Sequence, residues 1–307
     1  MDKMAMKLLL NIVMTAFFCL PAAEWQGVGA ALPEATLRIR QIDNPDQIGD
    51  IYIIQAPDGT TTLVDTGCAN TAEDVLLPAL QQFGVKRIAQ VIISHQHDDH
   101  IGGLPALLAD PEIEIDQILW SPIPPETMAR LAPAEFRHEL PYSTAAQALA
   151  ARRGVPFRAV HVGEVLNFGE GVNATVLAIA RPDVDVPSYV NNNSIVFRLQ
   201  YGDFSMLFTG DQCYEEEEWL LETGAQVVSD ILKIGHHGGN RSTSARFLDA
   251  VRPKVAVTTT PAWVATMPMP AEVTAMLQAR RIPYFRSWEY GTLTICSDGK
   301  RFRIVLK

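Results

Sequence analysis

Residues 91 to 104 read Val-Ile-Ile-Ser-His95-Gln-His97-Asp98-Asp99-His100-Ile-Gly102-Gly103-Leu, an apolar run that stops abruptly against five ionisable side chains. A short run that is apolar at every position describes a strand covered on both faces, not one face of a surface helix. Such a strand needs helices or a second sheet on each side, which confines the chain to a layered α/β arrangement. Two further polar clusters follow apolar runs in the same way. Leu207-Phe208-Thr209-Gly210-Asp211 closes one, and Lys233-Ile234-Gly235-His236-His237-Gly238-Gly239 closes the other. Chemistry presented on loops at strand ends is held by a rigid scaffold.

Periodicity and turn residues place early strands at about 35 to 42, 50 to 55 and 61 to 65, a helix from about 70 to 83, and a strand from about 88 to 93, with the next helix beginning near Gly102. A strand near 114 to 119 precedes a Pro-rich, helix-forming stretch from about 122 to 153 that ends at Gly154. The second half has strands near 157 to 161, 173 to 179, 194 to 200 and 204 to 209, a helix near 214 to 222 and a strand near 228 to 234. A helix near 242 to 250, a strand near 254 to 259, a helix near 271 to 280 and strands around 290 to 296 and 301 to 306 complete it. The two halves look alike, and no linker separates them. The expectation is one domain of two packed sheets with helices outside.

The leader combines a basic start, an apolar run from Leu8 to Leu20 and a small-residue exit ending near Ala30, the order of a signal peptide over residues 1 to 30. The run is too short for the roughly 20 residues of a spanning helix, so export to the periplasm or the medium without stable membrane insertion is expected. An uncleaved anchor is the alternative. Beyond the leader remain Cys68, Cys213 and Cys296, in no C-x-x-C arrangement, which read as reduced core residues. The net charge of −10 repels polyanions and counts against binding of extended nucleic acid. Arg152-Arg153 and Arg280-Arg281 fit helix C-termini facing solvent. Glu215 to Glu218 read as the solvated first turn of a helix, and Trp120, Trp263 and Trp288 as core filler.

Of the seven histidines, five lie in the two histidine clusters, leaving His138 and His161 as ordinary surface residues. His95 and His97, two apart on an extended turn, can share one cation, while Asp99 and His100 at a helix start can reach a second. Imidazole and carboxylate donors suit Zn²⁺, Mn²⁺ or Fe better than Ca²⁺ or Mg²⁺.

The string His95-x-His97-x-Asp99-His100, preceded by Val64-Asp65-Thr66-Gly67 and followed by Thr209-Gly210-Asp211, resembles the metallo-β-lactamase superfamily. More narrowly, Asn192-Asn193-Ser194-Ile195-Val196, the Tyr201-Gly202 turn, Lys233-Ile234-Gly235-His236-His237-Gly238, Gly291-Thr292-Leu293-Thr294 and Asp298-Gly299 are similar to the hydrolase domain of competence DNA-uptake channels of the ComEC type. The likeness runs from about residue 36 to the C-terminus, and the implied domain is 35 to 307. The resemblance implies a four-layer αββα sandwich with a metal site at one edge. His95 and His97 would bind the first metal, Asp99 and His100 the second, and Asp211 would bridge. One of His236 and His237 would complete the second site, with His237 favoured and His236 then free to serve the leaving group. Asp65 would orient the motif loop from behind, and Asn192, Asn193 and Ser194 would meet substrate. Two departures stand out. Asn191 to Asn193 occupy the place of the superfamily's third first-site histidine, which leaves a weaker set that implies either one metal held tightly and another loosely or a preference for Mn²⁺ over Zn²⁺, and Met269-Pro270 stands where His-Pro is expected.

The implied activity is a metal-dependent hydrolase. A metal-bound water, its pKa lowered from about 15.7 to about 7, would supply a hydroxide, oriented by Asp99, that attacks a phosphodiester of nucleic acid or of a small phosphoester. The alternatives are acyl hydrolysis of a lactam or lactone, and a non-catalytic relic that binds metal without turnover.

Overall fold

The computed structural model describes residues 36 to 45, 47 to 239, 241 to 260 and 271 to 306. The leader, Trp263 and Met269-Pro270 lie outside the described residues. Eight strands form the first sheet: β1 (Leu37–Gln41), β2 (Tyr52–Gln55), β3 (Thr61–Val64), β5 (Gln90–Ile92), β7 (Ile118–Trp120), β8 (Phe157–Ala159), β16 (Leu293–Ser297) and β17 (Phe302–Leu306), in the order β17-β16-β1-β2-β3-β5-β7-β8. Seven form the second: β9 (Val165–Gly169), β10 (Val172–Ala178), β11 (Val196–Tyr201), β12 (Phe204–Phe208), β13 (Ile231–Lys233), β14 (Val255–Thr258) and β15 (Tyr284–Arg286), in the order β15-β14-β13-β12-β11-β10-β9. A short parallel pair, β4 (Arg87–Ile88) and β6 (Glu114–Ile115), stands apart.

Alternation along the strands sorts the apolar residues into layers. Tyr52, Ile54, Val64 and Ile92 from the first sheet meet Phe197, Met206, Phe208 and Val257 from the second in one buried cluster between the sheets. Their neighbours Ile53, Leu63 and Val91 face the other way, onto Leu80, Leu104, Leu107 and Ala146 of the helices outside the first sheet. Leu207, Leu232 and Ala256 likewise pack on Leu220, Phe247 and Leu277 outside the second. The result is the expected four-layer αββα sandwich.

Several boundaries differ from the sequence expectation. The stretch 122 to 153 is two helices, Pro125–Leu131 and Pro133–Arg153, broken at Ala132 (φ −137, ψ 60) because a residue before proline is pushed out of the helical region. The helix expected near Gly102 starts at Leu104, and a short helix, Asp98–Ile101, precedes it. The strands β9 and β15 were not anticipated. The halves are also less alike than they read: β16 and β17 return to the first sheet, where β16 pairs antiparallel with the free edge of β1.

Glu215 to Glu218 are not a solvated turn. Glu216 and Glu217 are fully buried, because the helix Tyr214–Glu222 sets that face against the loops 191 to 194 and 241 to 244. Glu217 accepts hydrogen bonds from the backbone N–H of Thr243 and of Ser244. Burial pushes its carboxyl up to about 7 against those two donors. Trp120 does pack in the core, edge-on to Phe157 at 5.1 Å, and Cys68, Cys213 and Cys296 are buried free thiols.

Phe197 and Phe208 stack at 4.7 Å in the layer between the sheets. Replacing either by Ala is expected to cost about 3–5 kcal/mol in urea denaturation, whereas Val305→Ala on the exposed edge strand should stay within about 0.5 kcal/mol.

Candidate metal centre

The parallel pairings β3 with β5 and β12 with β13 and β14 bring five strand ends to one edge of the sandwich. Asp65 follows β3, Ser94 and His95 follow β5, Asp211 follows β12, His237 follows β13, and Thr259 follows β14. Asp50 joins them, since Tyr52 pairs with Val64 in the antiparallel β2–β3 ladder and so puts the start of β2 beside the end of β3.

Backbone geometry aims these groups. Asp65 sits at φ 57, a conformation rare for a residue with a side chain. There its Oδ1 accepts from the Ser94 N–H at 2.7 Å, and its Oδ2 accepts from Ser94 Oγ and faces His100 Nδ1, both at 2.8 Å. Gly103 lets the next turn close, because a Cβ there would lie 2.3 Å from the Thr66 carbonyl. His236 and His237 are both left-handed (φ 47 and 51), so their rings diverge. His237 turns into the cluster, with Nε2 at 3.1 Å from Asp99 Oδ2, 3.2 Å from Asp211 Oδ2 and 3.3 Å from His100 Nε2. His236 turns away to Asn191 Nδ2 at 3.2 Å and to Cys213 Sγ at 4.0 Å. The choice left open by sequence therefore has a geometric answer: His237 is the histidine beside Asp99, His100 and Asp211.

Those four residues each offer a ligand atom, and the four atoms lie within 4.8 Å of one another. His95 and His97 stand beside them, with His95 Nε2 at 3.0 Å from His97 Nδ1 and 4.0 Å from Asp211 Oδ2. The outward nitrogens of two rings are engaged: His100 Nδ1 by Asp65, and His237 Nδ1 by Thr259 Oγ1 at 3.0 Å. Both Nε2 atoms consequently point inward at the Asp99 and Asp211 carboxylates. Burial opposes charge on His237, but Asp211 and Asp50 outweigh it and hold its pKa at about 9. His100 is raised in the same way, burial being overcome by Asp211 and Asp99. Burial opposes charge on Asp211 too, yet His237 and His100 keep its carboxyl well below the usual range. The paired carboxylates thus call for positive charge among these imidazoles, which a divalent cation would also supply. Burial instead pushes His95 and His97 down, leaving two neutral donors. The donor set fits a divalent metal.

The structure gives Asn192 and Asn193 other work than meeting substrate. Both are 1% exposed. Asn192 Nδ2 donates to Glu215 Oε2 and to the Pro187 carbonyl, and its Oδ1 accepts from the Cys213 N–H. Asn193 Oδ1 accepts from the Arg181 N–H, and its Nδ2 donates to the Tyr189 carbonyl. Ser194 Oγ accepts from the Asp211 N–H at 3.0 Å and so positions that residue. Sequence reasoning missed Asp50, Thr259 and any role for Lys233. The Lys233 ammonium is 2.7 Å from Asp50 Oδ2 and 3.6 Å from Asp211 Oδ1. An acid before an apolar strand was the one local signal for Asp50, and any turn shows the same.

The model of the Metallo-beta-lactamase superfamily matches residues 44–260. ComE operon protein 3 of Bacillus subtilis (strain 168) is 30% identical over 185 residues, 60% of this chain and 21% of that protein. Competence protein ComA of Neisseria gonorrhoeae is 28% identical over 200 residues, 64% of this chain and 23% of that protein. This chain spans less than a quarter of the length of either relative. The resemblance to competence proteins is borne out. Among solved structures, CmlA, a diiron beta-hydroxylase from Streptomyces venezuelae, matches at TM-score 0.52 and 14% identity, covering 84% of this chain and 53% of that one, which shows the fold alone.

Asp65→Asn keeps the shape but replaces one acceptor by a donor, so Ser94 and His100 cannot both be held. The variant should fold, with metal affinity lowered about 10- to 100-fold in a chelator competition assay.

Proposed function

Because this chain belongs to the metallo-beta-lactamase superfamily, we propose that it is an exported metal-dependent hydrolase acting on a phosphodiester. The observation that carries the reading is the meeting of Asp99, His100, Asp211 and His237 within 4.8 Å at the strand ends, with His95 and His97 alongside. Bound there, one or two divalent cations would lower the pKa of a water and polarise a phosphoryl oxygen. Asp99 and His100 with Asp211 and His237 would hold one cation, and His95 with His97 and Asp211 the other. Asp99 is the member of the tight group open to solvent, with a side chain 19% exposed, and so is placed to orient the attacking water. His236 is half-buried beside the cluster and would hold or protonate the leaving oxygen.

The choice of a phosphodiester rests on two relatives whose names speak of competence and on a third, Recombination protein 2 of Haemophilus influenzae, 27% identical over 228 residues. The net charge of −10 favours a small phosphoester or a short end over an extended polyanion. Asn191, a residue 6% exposed, has a side-chain oxygen without a hydrogen-bond partner and stands in sequence where the resemblance implies a histidine in the wider superfamily. An oxygen donor there supports Mn²⁺ as well as Zn²⁺. Export rests on the leader at residues 1 to 30, and among the described residues no helix is long and apolar enough to cross a membrane.

Protein purified without added metal, then given Zn²⁺ or Mn²⁺, should hydrolyse bis(p-nitrophenyl) phosphate. His95→Ala and Asp211→Asn should each lose more than about two orders of magnitude, beyond the cost of an outer partner. Nitrocefin opening without diester hydrolysis would replace the phosphodiester reading by the lactam one. Bound metal with no turnover on either substrate class would sink both.

A further inference from the structure

Behind the cluster lies a second convergence of acids, in which Asp50 is the member that the proposed hydrolase leaves without a task. Asp50, Asp65 and His100 are all buried, and their ligand atoms lie within 4.8 Å of one another, a seat for a cation by donor chemistry alone. The chain supplies that cation itself. Lys233, 1% exposed, closes β13 and sends its ammonium into this pocket.

The ammonium donates to two main-chain carbonyls and forms ion pairs with two carboxylates. Asp50 Oδ2 and the Gly210 carbonyl are each at 2.7 Å, and the Ile234 carbonyl is at 3.3 Å. The two carbonyls hold the Lys233 ammonium between the acids, and Asp211 Oδ1 at 3.6 Å meets its charge as Asp50 does, as an ion pair without a hydrogen bond. The other oxygen, Oδ2, is the one that faces His100 at 3.3 Å and His237 at 3.2 Å. Asp50 extends the same control along another route. Its Oδ1 accepts from the Thr259 hydroxyl, which leaves the Thr259 oxygen to accept from His237 Nδ1–H at 3.0 Å. That bond keeps the His237 proton on Nδ1 and presents Nε2 to the cluster.

We propose that Lys233 and Asp50 are a positioning pair for the metal centre: the Lys233 charge beside Asp211 Oδ1 turns Oδ2 toward His100 and His237, and Asp50 sets the His237 tautomer through Thr259. The pair rests on the metal-centre reading above and adds to it a fixed positive charge and a relay that no ligand motif contains. Removing one member alone would strand a buried charge. The informative change is therefore the neutral, similarly sized double replacement Asp50→Asn with Lys233→Met. A second variant, Thr259→Val, keeps the ion pair and cuts only the relay.

The test is titration with Co²⁺, reading affinity by chelator competition and ligand geometry by the visible spectrum, with circular dichroism and thermal melting as the fold control. The folded double variant should bind Co²⁺ about 10- to 100-fold more weakly, with an altered spectrum. Thr259→Val should weaken binding about 10-fold, also with a spectral change. A folded variant of either kind with wild-type affinity and spectrum would overturn the proposal and leave the hydrolase reading intact. If the double variant does not fold, Thr259→Val decides by the same criterion. Failure of the unaltered chain to take up Co²⁺, Zn²⁺ or Mn²⁺ would instead refute the metal centre, and the positioning pair with it.

Discussion

Asp211 is where the two sheets meet electrostatically. Its Oδ2 lies 3.3 Å from His100, which the first sheet delivers, and 3.2 Å from His237, which the second delivers. Its own backbone N–H is held by Ser194 Oγ from the loop leading into β11. A carboxylate 2% exposed must be matched by positive charge or by strong donors. That requirement ties the end of β12 to groups at three other strand ends, those of β5, β13 and the start of β11. The edge of the sandwich is accordingly stitched by bonds that cross between sheets. The Ile195 N–H donates to the Ser94 carbonyl at 2.7 Å, and Gln41 Nε2 donates to the Thr258 carbonyl at 2.7 Å.

The same economy of space explains which polar residues are scaffold and which are exposed to chemistry. Asn192 and Asn193 spend their amides on backbone groups and on Glu215, and thereby shape the turn that sets Ser194 under Asp211. Glu217 does the equivalent for the chain leaving the histidine turn, by holding Thr243 and Ser244 at the start of the helix Ala245–Val251. Ser242 Oγ closes that turn on itself through the Gly235 and Gly239 carbonyls. Left-handed residues such as His236 and His237 persist where the surroundings over-determine them, and these bonds are that surrounding.

Local sequence by itself determined the layers and the ends at which chemistry sits. The continuous apolar runs Tyr52-Ile53-Ile54 and Met206-Leu207-Phe208, which a strand must bury on both faces, are a local property of the chain, as is the stop of each apolar run against His95, Asp211 or His236-His237. Only the tertiary structure decided between His236 and His237, because adjacent left-handed residues send their rings apart by dihedral angles that no residue pattern records. It alone buried Glu216 and Glu217, since a helix's outer face is defined by what packs on it. It alone joined Asp50 to Thr259 across 209 positions and to Lys233. Ion pairs and relays between residues so far apart depend on how strands are ordered in a sheet, and strand order is a property of the whole chain's packing and of no single segment.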